Sequence, residues 1–359
     1  MKCAENAVEL CFANDTYLAY FVAKWLVLEK EKGNNIDDKL EELIRGICFR
    51  INENILLFLS YLRTQIKFPL DFCEEAMKAM SGEESLSFDD GNISFLSRGI
   101  PPESIRMTSK KDKESANKGI AATEERNSEI KLIYRGPYDY SDEDCFTPAN
   151  RIDRAIKCLR MAGKSLVSLN EVLDKTDKQL IVSTLLDVPN KVLYSMFSGI
   201  DGDFDSTAQD LCRQINEFDP SANITADDVK RQIYIISLML CLSLYDQVAF
   251  DSSTKGTVDL FLKMDQSDGT NTRLQKLSVA GYALDQEDFF QYAIHAMDLA
   301  VRNKNAIEQF SIKIIVNYYL QQHSNIRDNL LQQCSKKIFG EKDYKRRIIE
   351  NKRRKHSNE

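Results

Sequence analysis

The chain has 359 residues, 43% of them hydrophobic and 29% charged, with a net charge of −7. That length and apolar content suffice for a sizeable core, in two domains or in one large domain with appendages, and exclude a wholly disordered protein. The acidity is uneven: residues 336–359 hold ten Lys and Arg against four Asp and Glu, which leaves the rest at about −13, an acidic body that repels polyanions and a basic tail that attracts them.

From Ala4 to Lys32, Leu10, Cys11, Leu18, Phe21, Val22, Trp25 and Leu28 recur at three- and four-residue spacing and draw one apolar stripe on a helix. Its position on that stripe assigns Trp25 to core packing rather than to a partner. Gly33-Asn34-Asn35 ends the helix, and a second one, from Asp37 to about Lys67, carries Leu40, Leu43, Ile44, Ile47, Ile51, Ile55 and Leu62. The short turn makes the two antiparallel neighbours, so residues 1–80 read as a helical hairpin.

Residues 81–146 change to Ser, Gly, Glu, Lys and Asp, with Pro101-Pro102, and cannot bury enough apolar surface to offset their ordering entropy; a flexible linker is expected. Asn92-Ile93-Ser94-Phe95-Leu96 stands out inside it as a short docking element. Its end, 129–146, turns aromatic and acidic, and with no second strand signal it reads as an extended peptide. Ser141, followed directly by Asp142-Glu143-Asp144, is a candidate site for an acidophilic kinase.

Helical signals crowd the region 147–340. Ile152, Ile156 and Leu159 form a stripe closing at Gly163, Pro189 and Gly199 bracket a short helix, and Asp205–Phe218 forms the next. Thr225 and Asp228 have capping-box spacing and open a helix over 225–249. No charge falls between Arg231 and Asp246, a run too short for a bilayer, which needs ~20 residues, so this helix is expected buried at the centre of the domain. Helices over 254–265, 272–284, 288–302, 306–323 and 326–339 complete the region. The fold class is all-α: an N-terminal hairpin, a linker, then a multi-helix bundle or irregular solenoid around the central helix, with no repeat period that names a repeat family.

Catalytic and metal chemistry finds little support. Gly163-Lys164-Ser165 resembles the end of a phosphate loop, but Cys158 stands where the earlier glycine belongs and no strand precedes it, so it reads as a helix C-cap and turn. Asp201, Asp203 and Asp205 alternate as in a calcium loop, yet Ser206 and Cys212 occupy the positions that need Gly and Glu; a turn with capping aspartates is expected. His295, His323 and His356 have no triad or metal-ligand spacing, and the nine cysteines are scattered with no C-x-x-C, a usage that fits a reducing compartment. No catalytic, cofactor or metal site is expected.

The tail, 341–359, carries the strongest charge signal. Lys345, Arg346, Arg347, Lys352, Arg353, Arg354 and Lys355 suit phosphate neutralisation, a nuclear-import signal, or the solvation of a terminal helix. The start, M-K-C-A-E-N-A-V-E, lacks the basic and apolar regions of a secretory signal, and no membrane partner is expected. These features together predict a cytoplasmic or nuclear protein, nuclear favoured by the tail. The expected role is a non-enzymatic scaffold or adaptor subunit of a multiprotein complex, with other proteins as its partners. The alternative is a nucleic-acid-associated accessory protein that contacts DNA or RNA through the tail.

Overall fold

In a computed structural model the protein is all-α, with no strand among the described residues, which are 14–62, 68–98, 148–219, 223–264, 269–323 and 326–340. Of these, 14–97 and 148–284 form one compact unit and 285–340 a second. The first unit opens with α1 (Asp15–Glu31), capped by the Asn14 side chain, which accepts from Thr16 N at 2.8 Å. The single second helix expected from the sequence is two, α2 (Asp37–Arg45) and α3 (Arg50–Tyr61). Gly46 ends α2, and the Asn52 amide donates to the Gly46 carbonyl at 3.0 Å, so the Asn52 side chain occupies the space a Cβ on residue 46 would need. The hairpin therefore pairs α1 chiefly with α3, and α4 (Phe68–Ala79) follows.

Residues 81–98 pack although their composition reads as linker. Leu86, Phe88, Ile93, Phe95 and Leu96 are buried, and α5 (Ser94–Arg98) is a single turn held by them. Five apolar residues spaced among small polar ones anchor a strap, because those polar side chains bond to the neighbouring helices. Ser85 Oγ donates to Asp187, Thr270 Oγ1 to Asp89, and Ser94 Oγ to Asp201 at 2.8 Å. The remainder of the expected linker lies outside the described residues.

The body of this unit is α6 (Pro148–Leu169), α7 (Lys175–Asp201), α8 (Phe204–Phe218), α9 (Ala226–Ser252), a short α10 (Val258–Leu262) and α11 (Thr270–Ala283). Neither Gly163 nor Pro189 bounds a helix. Gly163 lies within α6, where a Cβ would sit 3.1 Å from Ser252 Cβ and 3.3 Å from the Asp251 carbonyl carbon; the missing side chain lets the end of α9 approach. Pro189 lies within α7 and takes one N–H from its hydrogen-bond ladder. In the same turn the Leu186 carbonyl accepts side-chain amides from Asn190 and from Gln275 of α11, which ties the two helices together there.

The central helix starts where the capping box places it: Asp228 N donates to Thr225 Oγ1 and Thr225 N to Asp228 Oδ2, both at 3.2 Å. It runs 27 residues, with α6, α7, α8 and α11 packed on it. A buried polar knot fixes it to α7 and α11. The Tyr245 hydroxyl donates to Asn190 Oδ1 at 2.6 Å and accepts from Asn271 Nδ2 at 2.9 Å, while Asn271 Oδ1 accepts Phe88 N from the strap at 2.9 Å.

The second unit contains α12 (Gln286–Arg302), α13 (Ala306–Gln322), α14 (Asp328–Cys334) and a π-turn over Ser335–Phe339. Asp285 caps α12 and Asn305 caps α13. Phe289, Phe290 and Tyr319 form its aromatic centre, with Phe289 and Tyr319 stacked at 3.9 Å between centroids.

Candidate protein-interaction faces

Two helices of the first unit present large apolar side chains to solvent in rows. On α1 the buried positions are Ala19, Ala23 and Leu26, and the exposed ones are Tyr17, Phe21, Trp25 and Leu28. Trp25 is thus not a core residue: it is 45% exposed, with the Lys39 ammonium 4.3 Å from its ring centroid. The small side chains lie on the face that meets α3, and the aromatic row lies one step around the helix.

On α9 the expectation of burial on all sides also fails. Tyr234, Leu238, Cys241, Leu242 and Tyr245 face the core, but Ile236, Met239, Leu240 and Phe250 are exposed. Ser243 completes this face at the spacing 236, 239, 240, 243, 250, which one helix side presents together. Phe250 meets the Tyr282 ring edge-on at 5.7 Å, and Tyr282 Oη donates to Asp246 at 3.0 Å. Burial pushes the Asp246 carboxyl above the usual carboxylate range, and the Tyr282 hydrogen bond partly offsets it. On α8, Leu211, Ile215 and Phe218 are also exposed, the last at 94%. Among the described residues α9 alone is long and apolar enough to cross a bilayer, by length and composition.

The residues singled out for chemistry are placed as follows. Lys164 and Ser165 lie on α6 beside Gly163, a helical segment with no phosphate-loop turn; Lys164 Nζ reaches Asp251 at 3.8 Å. Asp201 spends its carboxylate on α5, accepting Ser94 Oγ and Phe95 N, and Asp205 pairs with Lys230 at 2.6 Å. No group of three or more potential metal ligands occurs among the described residues. His295 is exposed on α12, and His323 stacks on Tyr319 at 4.1 Å. Burial raises the thiols, Cys48 to about 11 and Cys73 to about 12, with Cys158 and Cys241 also raised, so each is held as thiol and packs as a small apolar group. The tail residues Lys345, Arg346, Arg347, Lys352, Arg353, Arg354 and Lys355, with His356 and Ser141, lie outside the described residues.

Sequence periodicity missed both exposed rows, because a helix with two adjacent apolar stripes gives the same pattern whether one or both are covered. The one available signal was width: on α1, Ala19, Tyr20, Phe21, Val22 and Ala23 run without a polar residue, more apolar perimeter than a single neighbouring helix covers. Comparison of the chain with protein families, with curated proteins and with solved structures finds no match.

Proposed function

We propose that the chain is a helical scaffold or adaptor subunit of a multiprotein complex, acting through binding rather than catalysis. The observation that carries this reading is the row of Tyr17, Phe21, Trp25 and Leu28 on α1. Single exposed apolar residues are ordinary on any surface, but four large ones on one helical face, three of them aromatic, have the composition that anchors protein interfaces.

The test is quantitative co-purification of the full chain from its own cells, comparing wild type with Phe21→Ser/Trp25→Ser. The two side chains are 51% and 45% exposed, so the change gives up part of each ring's burial and thermal unfolding should fall by a few degrees, about 3–8 °C, without loss of the fold, while at least one partner falls about tenfold. A wild-type chain that captures no protein above control removes the scaffold reading. So does a partner set left intact by this variant and by Ile236→Ser/Leu240→Ser.

A further inference from the structure

The open face of α9 carries information about its occupant. Ile236, Met239, Leu240 and Phe250 are 42–64% exposed and share one side of the helix, the spacing at which an apolar helix face is read by a partner helix. Asp246 sits at the edge of that side, next to Met239 and Phe250 in the helical register. It is half-buried and accepts one hydrogen bond, from Tyr282.

The other aspartates of α9 each have a cation at ion-pair distance: Asp227 has Lys230, Asp228 has Arg231, and Asp251 has Arg160 and Lys164. No Lys or Arg among the described residues pairs with Asp246. A carboxylate already short of water becomes costly once a neighbour covers it, unless that neighbour supplies a cation. We propose that the open face of α9 seats a helix of a partner protein whose apolar stripe carries a lysine or arginine, and that this cation pairs with Asp246.

The same observations weigh against other occupants. A second copy of α9 brings no cation on its 236–250 face: its Lys230 and Arg231 stand in the first two turns and already pair with Asp205, Asp227 and Asp228. A lipid surface gives the carboxylate nothing in exchange for its water. The proposal rests on the scaffold reading and narrows it to one face and one partner chemistry.

The test places a photo-crosslinking residue in the full chain in cells, by Leu240→p-benzoylphenylalanine and separately by Trp25→p-benzoylphenylalanine, and identifies the captured segments by mass spectrometry. The Leu240 position should capture a segment of another protein with Lys or Arg flanked by apolar residues at three- and four-residue spacing. Asp246→Asn should lower that yield about tenfold while thermal unfolding stays within about 2 °C, and Asp246→Glu should retain it. Asp246→Lys should abolish capture, and a Lys-to-Glu change in the captured segment should restore it.

Capture of a second copy, of residues 341–359 of the chain itself, of lipid, or of a segment without a cation overturns the proposal, as does an unchanged yield in Asp246→Asn. Capture at Trp25 with none at Leu240 removes this docking site and leaves the scaffold reading standing. Capture of no protein at either position removes both.

Discussion

Tyr245→Phe tests the polar knot that joins α7, α9, α11 and the strap. The change removes one oxygen from a side chain that is 1% exposed, so no water reaches the vacated position without rearrangement. Two bonds go with it, the 2.6 Å donation to Asn190 Oδ1 and the 2.9 Å acceptance from Asn271 Nδ2. The two amides still have each other at 3.2 Å, so neither is fully orphaned, and the cost should be about 1–2 kcal/mol rather than the full penalty of about 3. In a unit of this size that is roughly 2–8 °C in Tm.

Asn271→Leu should cost more, about 2–4 kcal/mol, because Asn271 Oδ1 also accepts Phe88 N from the strap. The double variant should fall short of additivity by roughly 1 kcal/mol, since the second change finds its partner already gone. Urea denaturation followed by circular dichroism reads all three. A Tyr245→Phe loss below about 0.5 kcal/mol, or strict additivity with Asn271→Leu, refutes the idea that the hydroxyl ties the helices together. The pH dependence offers an independent check. Burial raises the Tyr245 pKa well above its ordinary value of 10.0, so the hydroxyl stays protonated in the folded protein at pH values where the unfolded chain ionises. Stability from this group is therefore complete below pH 10 and is lost as pH rises above it, a loss that should be smaller in Tyr245→Phe.

Three further outcomes follow from other sites. Arg154 Nη1 and Glu75 Oε1 pair at 2.9 Å with both side chains nearly covered, so Glu75→Gln should cost roughly 3–5 kcal/mol in urea unfolding while the double change Glu75→Leu/Arg154→Met costs much less. Equal losses would show that the charge carries no burden. Phe95 stacks on Phe204 at 4.8 Å and meets Phe197 at 6.0 Å, so Phe95→Ala should release the strap and bring rapid limited proteolysis within 81–98, whereas wild type resists cleavage there. For the tail, deletion of 341–359 should weaken DNA binding equally for unrelated sequences, with each lost phosphate contact reducing the slope of log K against log salt by about 0.9. If the full chain binds no DNA at low salt and the deletion alters only nuclear accumulation, the segment is a transport signal.

The helical character and most helix starts were legible, because both rest on local chemistry. Thr225 with Asp228 marks the start of α9 from two residues alone, and the helical pattern expected from Ala306 begins where α13 does. What misled were residues whose local meaning is overridden by packing. Gly163 reads as a helix end, yet here its missing side chain serves the approach of Ser252 and Asp251. Pro189 reads as a boundary, yet α7 runs through it, and the side-chain amides of Asn190 and of Gln275 on α11 bond to the Leu186 carbonyl in the same turn. The strap at 83–97 failed a compositional test that averages over its window, since five buried apolar residues suffice when Asp89, Asn92, Asp187 and Asp201 hold the intervening backbone and hydroxyls.

The exposed faces were illegible for a different reason: periodicity tells where apolar side chains lie on a helix and not whether anything covers them. On α1 only Leu26 of the three buried positions is large, the others being Ala19 and Ala23, while Trp25, Phe21 and Tyr17 stand 45–63% exposed, a sorting that folding alone does not favour. Burial stabilises by about 25 cal/mol per Å² of apolar surface, so a tryptophan turned inward contributes several times what an alanine does. A helix selected only to stabilise its own unit would place the aromatic row against α3. Small residues there bring α1 and α3 close at little hydrophobic gain, and they leave the larger areas free. That distribution makes sense if the area withheld from folding is used in association, and the negative body then keeps copies of the free chain apart until a partner arrives.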